Sequence, residues 1–403
     1  MSGTFMGVVL RKNIKLLRPA CVFVTVLFVM LFLAHPAWAQ NDEPPSVSES
    51  ARERENILPN SYVGGTVAEV VILDRYHPWS KNRLPRLDSI ASLRINDDYP
   101  TLDGATSAYP IYAAIANEVY EVDDKKELQQ YLSCSRTSEA YNRIIRGEVD
   151  MIFVLQPSDE QLQSAKDAGV ELHFTPIAKD AFVFFVNNHN PVSDLSIEQI
   201  QNIYLKKITN WREVGGDDRI ILTYQRPANS GSQTAMIKDV MKGKELPPPL
   251  EREFRRGMVG VFFFAPPSSD AAQNRDYSES IGYSFRFFSE EMMQEVFWRK
   301  EELSARIQRY NAANRQRYAA NRYQNELDSL NKIEPVKLLA IDGIAPSEEN
   351  IRNGTYPFTV EVYAVTAGTK NPHVHELIDW LLSPQGQELI QKTGYVGAGA
   401  SRD

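Results

Sequence analysis

Short apolar runs alternate with stretches of helical spacing along most of this chain, and that alternation sets the expected fold class. VAEVVIL (67–73), VDMIFVL (149–155) and AFVFFVN (181–187) read as strands, being brief runs of apolar and β-branched residues. YPTLDGATSAYPIYAAIANEVY (99–120) turns from a strand end into a helix, with Pro110 in its first turn and Ile111, Ala114 and Ile115 spaced for one buried face. SRTSEAYNRIIRGEVD (135–150) predicts a helix that closes at Gly147. In LSIEQIQNIYLKK (195–207) Ser196 is the N-cap, and Ile197, Ile200, Ile203 and Tyr204 share a face. Lys206 and Lys207 suit its C-terminal end. Strands separated by helices predict an α/β architecture with largely parallel sheets.

The N-terminus follows a different pattern. Residues 1–18 carry Arg11, Lys12, Lys15 and Arg18 with no acidic residue, and an apolar run from Ala20 to Ala34 leads into Ala37-Trp38-Ala39-Gln40. That order predicts a signal peptide over 1–39, cleaved near Ala39-Gln40. The apolar run is shorter than the ~20 residues that usually span a bilayer, so an uncleaved leader acting as a membrane anchor is the lesser alternative. Residues 40–56 are polar, charged and Pro-containing, which predicts a flexible tether, with folding from near Ile57. Cys21 leaves with the leader and only Cys134 remains, so no intramolecular disulfide can form; Cys134 is expected as a small semi-buried residue.

Composition narrows the function classes. The 403 residues are 43% hydrophobic and 24% charged with a net charge of -8, ordinary globular values. Loss of the leader removes four positive charges and no negative ones, leaving 40 Lys+Arg against 52 Asp+Glu. Such an acidic chain argues against general nucleic-acid affinity. About 360 residues predict two domains.

Against that acidity, one stretch gathers hydrogen-bond donors. In TYQRPANSGSQTAM (223–236) Pro227 keeps Arg226 out of helical geometry, and helical spacing resumes after Ser232. Free N–H groups at a helix start attract anions, and Gly231 lets the backbone come close. Ser230 and Ser232 add hydroxyls, and Arg226 can offer a two-pronged contact. Alone, the stretch reads equally as an N-cap with a surface arginine. But Thr106 and Ser107 precede a second helix, and Arg136, Thr137 and Ser138 a third. Three hydroxyl-rich helix starts could converge on one tetrahedral anion.

Catalysis and metal binding have little basis. The His373-Val-His375 pair stands without a nearby Cys or carboxylate pattern, and Asn371-Pro372 ahead of it predicts a helix entry. NSGSQ does not match the nucleophile elbow. No enzyme activity, metal or cofactor is expected.

The stretches LDGATSAYPIYAAIANEVY, SRTSEAYNRIIRGEVDMIFV, KITNWREVGG, QRPANSGSQTAM, IGYSFRF, GIAPSEENIRNGTYPFTVEVYAVT and LSPQGQELIQKTGYVGA, in that order, resemble the phosphate-binding proteins of ATP-driven (ABC) phosphate importers. The resemblance spans most of 96–398. It implies a two-lobed type II periplasmic-binding-protein fold, with AFVFFVN and FTVEVYAV (358–365) as crossover strands at a hinge. The implied lobes are 57–183 with 358–403, and 184–357. The implied anion shell is Thr106, Ser107, Arg136, Thr137, Ser138, Arg226, Ser230, Gly231 and Ser232, with the direction of Arg136 open.

Two departures bear on function. The family's VDFGASD ends in a carboxylate that accepts the hydrogen of protonated phosphate, whereas here VDMIFVLQPSD puts Leu155 or Gln156 near that place. A Gln156 carbonyl, or Asp159 curling back, could accept the hydrogen instead. Loss of the fixed carboxylate weakens discrimination against sulfate. Residues 289–334 form an insertion with no glycine and no proline, expected as a helix or helical hairpin within the second lobe. Its Arg306, Arg309, Arg315, Arg317 and Arg322 with interspersed tyrosines could be a solvated face or dock an envelope partner. The leading expectation is an exported phosphate- or oxyanion-binding protein serving an inner-membrane ABC permease. The alternatives are an envelope sensor or adaptor and, more remotely, an enzyme on phosphate esters.

Overall fold

In a computed structural model that describes residues 67–262, 280–312, 317–333 and 335–398, the first element is helix α1 (Val67–Asp74), where a strand was expected. The buried Ala68, Ile72 and Leu73 lie on one side of that helix. A short apolar run has no period that separates helix from buried strand, so packing decided it. The leader at 1–39 and the tether at 40–56 lie outside the described residues.

β1 (Leu102–Gly104) leads through a single 3-10 turn, Thr106–Ala108, into α2 (Tyr109–Val119), with Pro110 in the first turn as expected. α3 (Arg136–Ile145) closes at Gly147, whose φ of 68° is the left-handed stop anticipated from sequence. After β2 (Met151–Val154), the Ser158 hydroxyl caps α4 (Asp159–Asp167) in a reciprocal box with Gln161. The long β3 (His173–Asn187) and short β4 (Asp194–Leu195) precede α5 (Ile197–Tyr204), capped by Ser196 with Gln199. β5 (Leu222–Thr223) feeds α6 (Gly231–Ala235), which continues as π-helix through Met241. β6 (Ser280–Phe285) comes before a helical hairpin, α7 (Met293–Ala312) and α8 (Arg317–Leu330). The chain then runs through β7 (Val336–Leu338), β8 (Ala340–Ile341), α9 (Glu348–Arg352), β9 (Thr359–Thr366), α10 (His373–Leu382), α11 (Pro384–Lys392) and β10 (Val396–Gly397).

The main sheet runs β1-β2-β9-β3-β6-β5, with β10 and β7 also on β3. It is mixed rather than largely parallel. β1–β2, β5–β6 and β4–β8 are parallel, but every pairing of β3 and β9 is antiparallel. The reason is that β9 returns the chain alongside β3 in the opposite direction, from Ala181↔Thr359 to His173↔Thr366.

Two hydrophobic cores result, giving a two-lobed α/β fold. β3 contributes Ile177, Ala178 and Phe185 to the first core and Ala181–Phe184 and Val186 to the second; β9 contributes Val362, Ala364 and Val365 to the first and Val360 to the second. Both strands therefore supply residues to both cores. The buried face of α5 (Ile200, Ile203, Tyr204) lies in the second.

The insertion does form a helical hairpin. Its buried Val296, Leu303, Leu327 and Leu330 join the first core, which also takes in Phe185, Tyr224 and Phe262. α1 packs against both of its helices. Glu295, with 2% of its side chain exposed, binds Arg83 at 2.8 Å and Arg75 at 3.5 Å, and the Arg83 guanidinium lies 3.7 Å above the Trp298 ring. Arg299 joins the two helices through Glu326 at 2.7 Å, while Arg306 binds Glu302 and lies over Tyr323, which meets Tyr310. Part of the Arg/Tyr pattern thus serves the hairpin itself.

At the crossover, burial pushes the Asp180 carboxyl up to about 7, against the opposing pull of the Ala181 and Phe287 amides and Arg286. A carboxyl that holds its proton more tightly folded than unfolded lowers stability as pH rises from the ordinary carboxylate range to about 7, with no further loss above it. Asp180→Asn is expected to raise the melting temperature at about pH 8, with the gain shrinking towards about pH 4. Thermal denaturation of both proteins across that range checks the sign.

Candidate functional site

The site grows from the carboxyl end of β1. Asp103, fully buried, accepts hydrogen bonds from the Ser135 amide (2.8 Å) and hydroxyl (2.6 Å) and pairs with Arg143. It thereby pins the start of α3 beside the end of β1. Two residues on, the Ala105 amide donates to the Phe153 carbonyl of β2 at 2.9 Å, which sets the buried Thr106 and Ser107 at the strand end. The Ser107 carbonyl accepts from the Tyr395 hydroxyl at 2.6 Å.

Arg136 opens α3 with φ 74°, a backbone region that costs a side-chain-bearing residue about 1–2 kcal/mol. Its guanidinium binds Glu69 of α1 at 2.7 Å. Thr137 is buried, whereas Ser138 is exposed.

The third helix start follows β5. The Arg226 amide donates to Gln233 Oε1 (2.9 Å) and the Tyr283 hydroxyl (3.2 Å), and Tyr283 also bonds Gln233. The Arg226 guanidinium is buried, donating to the Arg255 carbonyl at 2.9 Å and, more weakly, to Ser232 Oγ at 3.4 Å. Burial lowers its pKa to about 10; Tyr283 and then Glu69 act in the other direction, and Arg136 adds to the lowering. Ser230 caps the helix by accepting from the Gln233 amide at 3.3 Å, so its own hydrogen can be donated elsewhere. Asn229, with φ 62°, accepts from Ser158 Oγ at 2.7 Å and donates to Glu160 at 2.7 Å, tying this loop to the start of α4.

Two of the three helix starts meet directly. A Cβ placed on Gly231 would stand 3.3 Å from Thr137 Oγ1 and 3.6 Å from Leu155 Cδ1. The glycine is thus favoured by close approach, not by its φ. Leu155 continues β2, the strand beside which Thr106 and Ser107 emerge. The parallel pairs β1–β2 and β5–β6 so direct strand ends towards a common region, the usual place for ligands in α/β sheets. Arg226 and Arg136 feel one another's charge there. Ser138 is the member of the expected shell that stays at the surface.

The carboxylate position of the resemblance also becomes concrete. Leu155 is the residue against Gly231, while Gln156 donates its amide to Asp239 at 2.6 Å. Asp159 does not curl back: its side chain is 92% exposed and paired with Lys238.

Sequence reasoning missed Glu69, Asp103 and the Gln233–Tyr283 bracket. Glu69 left a signal, since a carboxylate inside VAEVVIL has to be paired if the run is buried. His373 begins α10, as expected, facing Asp97 and Glu376. Among the described residues no cluster of three or more His, Cys, Asp or Glu could hold a metal.

Residues 96–385 match the sequence profile described as the PBP superfamily domain. The phosphate-binding protein PstS of Bacillus subtilis is 22% identical over 303 residues, covering 73% of this chain and 79% of that protein. Protein SphX of Synechococcus elongatus is 29% identical over 119 residues, 28% of this chain and 35% of that protein, so the match spans about a third of SphX. Among solved structures, an ABC-type phosphate transport receptor from Vibrio cholerae aligns at 19% identity and a TM-score of 0.46, over 74% of this chain and 99% of that one.

Filling the Gly231 contact tests the packing of the two helix starts. Gly231→Val is expected to destabilise the protein by about 1–3 kcal/mol through overpacking against Thr137 and Leu155. Chemical denaturation, compared with a substitution at exposed Ser138, gives the size.

Proposed function

We propose, for a chain that belongs to the PBP superfamily, that it is an exported solute-binding protein which captures inorganic phosphate or a related tetrahedral oxyanion between its lobes. The observation that carries this reading is the contact of Thr137 with Gly231 beside the buried Arg226. It brings hydroxyls and two helix N-terminal turns together with a desolvated guanidinium. Such a set suits a compact dianion, because backbone amides and hydroxyls spread its charge while Arg226 supplies a charge-assisted bond. The relatives named as phosphate-binding proteins support the same ligand.

Thr106, Ser107, Arg136, Thr137, Arg226, Ser230, Gly231 and Ser232 form the proposed shell, with Ser138 at its outer edge. Ligand contacts made to both lobes favour the closed arrangement over an open one, which gives closure a physical cause. The bonds that Asn229 accepts from Ser158 and donates to Glu160, and that Lys238 donates to the Pro157 carbonyl (2.9 Å), are the kind that closure would make. Release to an inner-membrane ABC permease completes the proposed cycle, and the leader expected at 1–39 supports a place outside the cytoplasm. No described helix is long and apolar enough to cross a membrane.

Leu155 brings no carboxylate to the Gly231 contact, so the proposed site reads the proton of phosphate weakly at that position. The adaptor reading gains nothing from Arg306, Tyr310 and Tyr323, which face other residues of the hairpin.

Calorimetric titration with phosphate, sulfate, arsenate and molybdate tests the reading. Arg226→Ala is expected to weaken phosphate binding by about 1.5–3 kcal/mol, roughly 10- to 150-fold. Silence of the wild-type protein towards all four anions would overturn it.

A further inference from the structure

We propose that Glu69 sets the affinity of the anion site as an internal competitor: carried on α1, its carboxylate engages the site's arginine until an oxyanion displaces it. The inference rests on the oxyanion reading of that site. Glu69 is 1% exposed and binds Arg136 Nη2 at 2.7 Å. Its other oxygen fits against the backbone, since a Cβ on Gly257 would stand 3.0 Å from Oε1. That backbone segment also carries the Arg255 carbonyl that accepts from Arg226. Glu69 therefore lies between the arginine that opens α3 and the segment that anchors the other arginine, and its charge is felt at Arg226.

A carboxylate offers guanidinium groups the same kind of oxygens as phosphate or sulfate. Two anions crowded on one pair of arginines repel each other strongly away from water. Binding of a dianion thus requires Glu69 to withdraw, and the free energy of that withdrawal is subtracted from the observed affinity. α1 is held by its own apolar face, by the hairpin of α7 and α8, and by Arg75 and Arg83 on Glu295. The insertion accordingly bears on the site through the helix that it supports.

The test is phosphate calorimetry on the purified wild-type protein, Glu69→Gln and Glu69→Ala, with hydrogen exchange on the wild type. Both variants are expected to bind phosphate about tenfold more tightly or better, and phosphate should speed exchange of the α1 amides in the wild type. Glu69→Gln keeps the shape and the acceptor towards Arg136, so a folded variant is available even if the alanine form is not. Equal affinities, or α1 amides that slow on phosphate addition, overturn the inference and leave the oxyanion reading standing. Weaker phosphate binding by Glu69→Gln with sulfate unchanged also overturns it, since Glu69 would then be accepting the hydrogen of protonated phosphate. No binding by the wild type or either variant overturns the oxyanion reading itself, and the inference with it.

Discussion

The antiparallel ladder between β3 and β9 is the constraint on which the other features depend. It runs from His173↔Thr366 to Ala181↔Thr359, and each strand supplies residues to both hydrophobic cores. Two adjacent strands hydrogen-bonded to each other limit the freedom of the lobes more than a single linker would. β2 pairs with β9 on one side, and β6 with β3 on the other. The strand ends that present Thr106, Leu155 and Arg226 are therefore positioned by the same ladder, and a buried carboxyl at Asp180 sits within it.

Around those strand ends the chain spends buried polar groups on positioning. Asp103 fixes the start of α3, and Gln233 with Tyr283 fixes the Arg226 amide. Each is a fully or nearly fully buried group with its hydrogen bonds made, which rigidifies a site whose donors must converge. The left-handed Arg136 adds backbone strain of the sort that persists only where the surroundings hold it. In the proposed reading, neutral donors and a desolvated guanidinium are what let a chain with net charge -8 hold an anion. Local field, not overall charge, decides it.

The hairpin and α1 give the two-lobed frame its individual character. An insertion rich in arginine and tyrosine reads from sequence as a surface for something else. In the folded protein its apolar face completes the first core, and several of its charges pair within it or with the segment around α1. The exposed Arg309 and Arg322 remain solvated. What was separate in the sequence, an N-terminal acidic residue and a distant helical insertion, becomes one mechanical unit next to the arginines.

Local chemistry was legible in the sequence alone. The cap at Ser196, the stop at Gly147, the proline entry at Pro110 and the helical hairpin follow from short-range spacing and backbone preference, whereas the crossover role of 181–187 and 358–365 was implied by the resemblance to a known family. Strand direction was not, because β3 and β9 become antiparallel neighbours only through pairings that span much of the chain. Nor was the helical state of VAEVVIL, since an unbroken apolar run carries no period. The contacts Gly231–Thr137, Arg136–Glu69 and Leu155–Gly231 join residues far apart in sequence, and their geometry arises only when two cores and a shared ladder fix all of them at once.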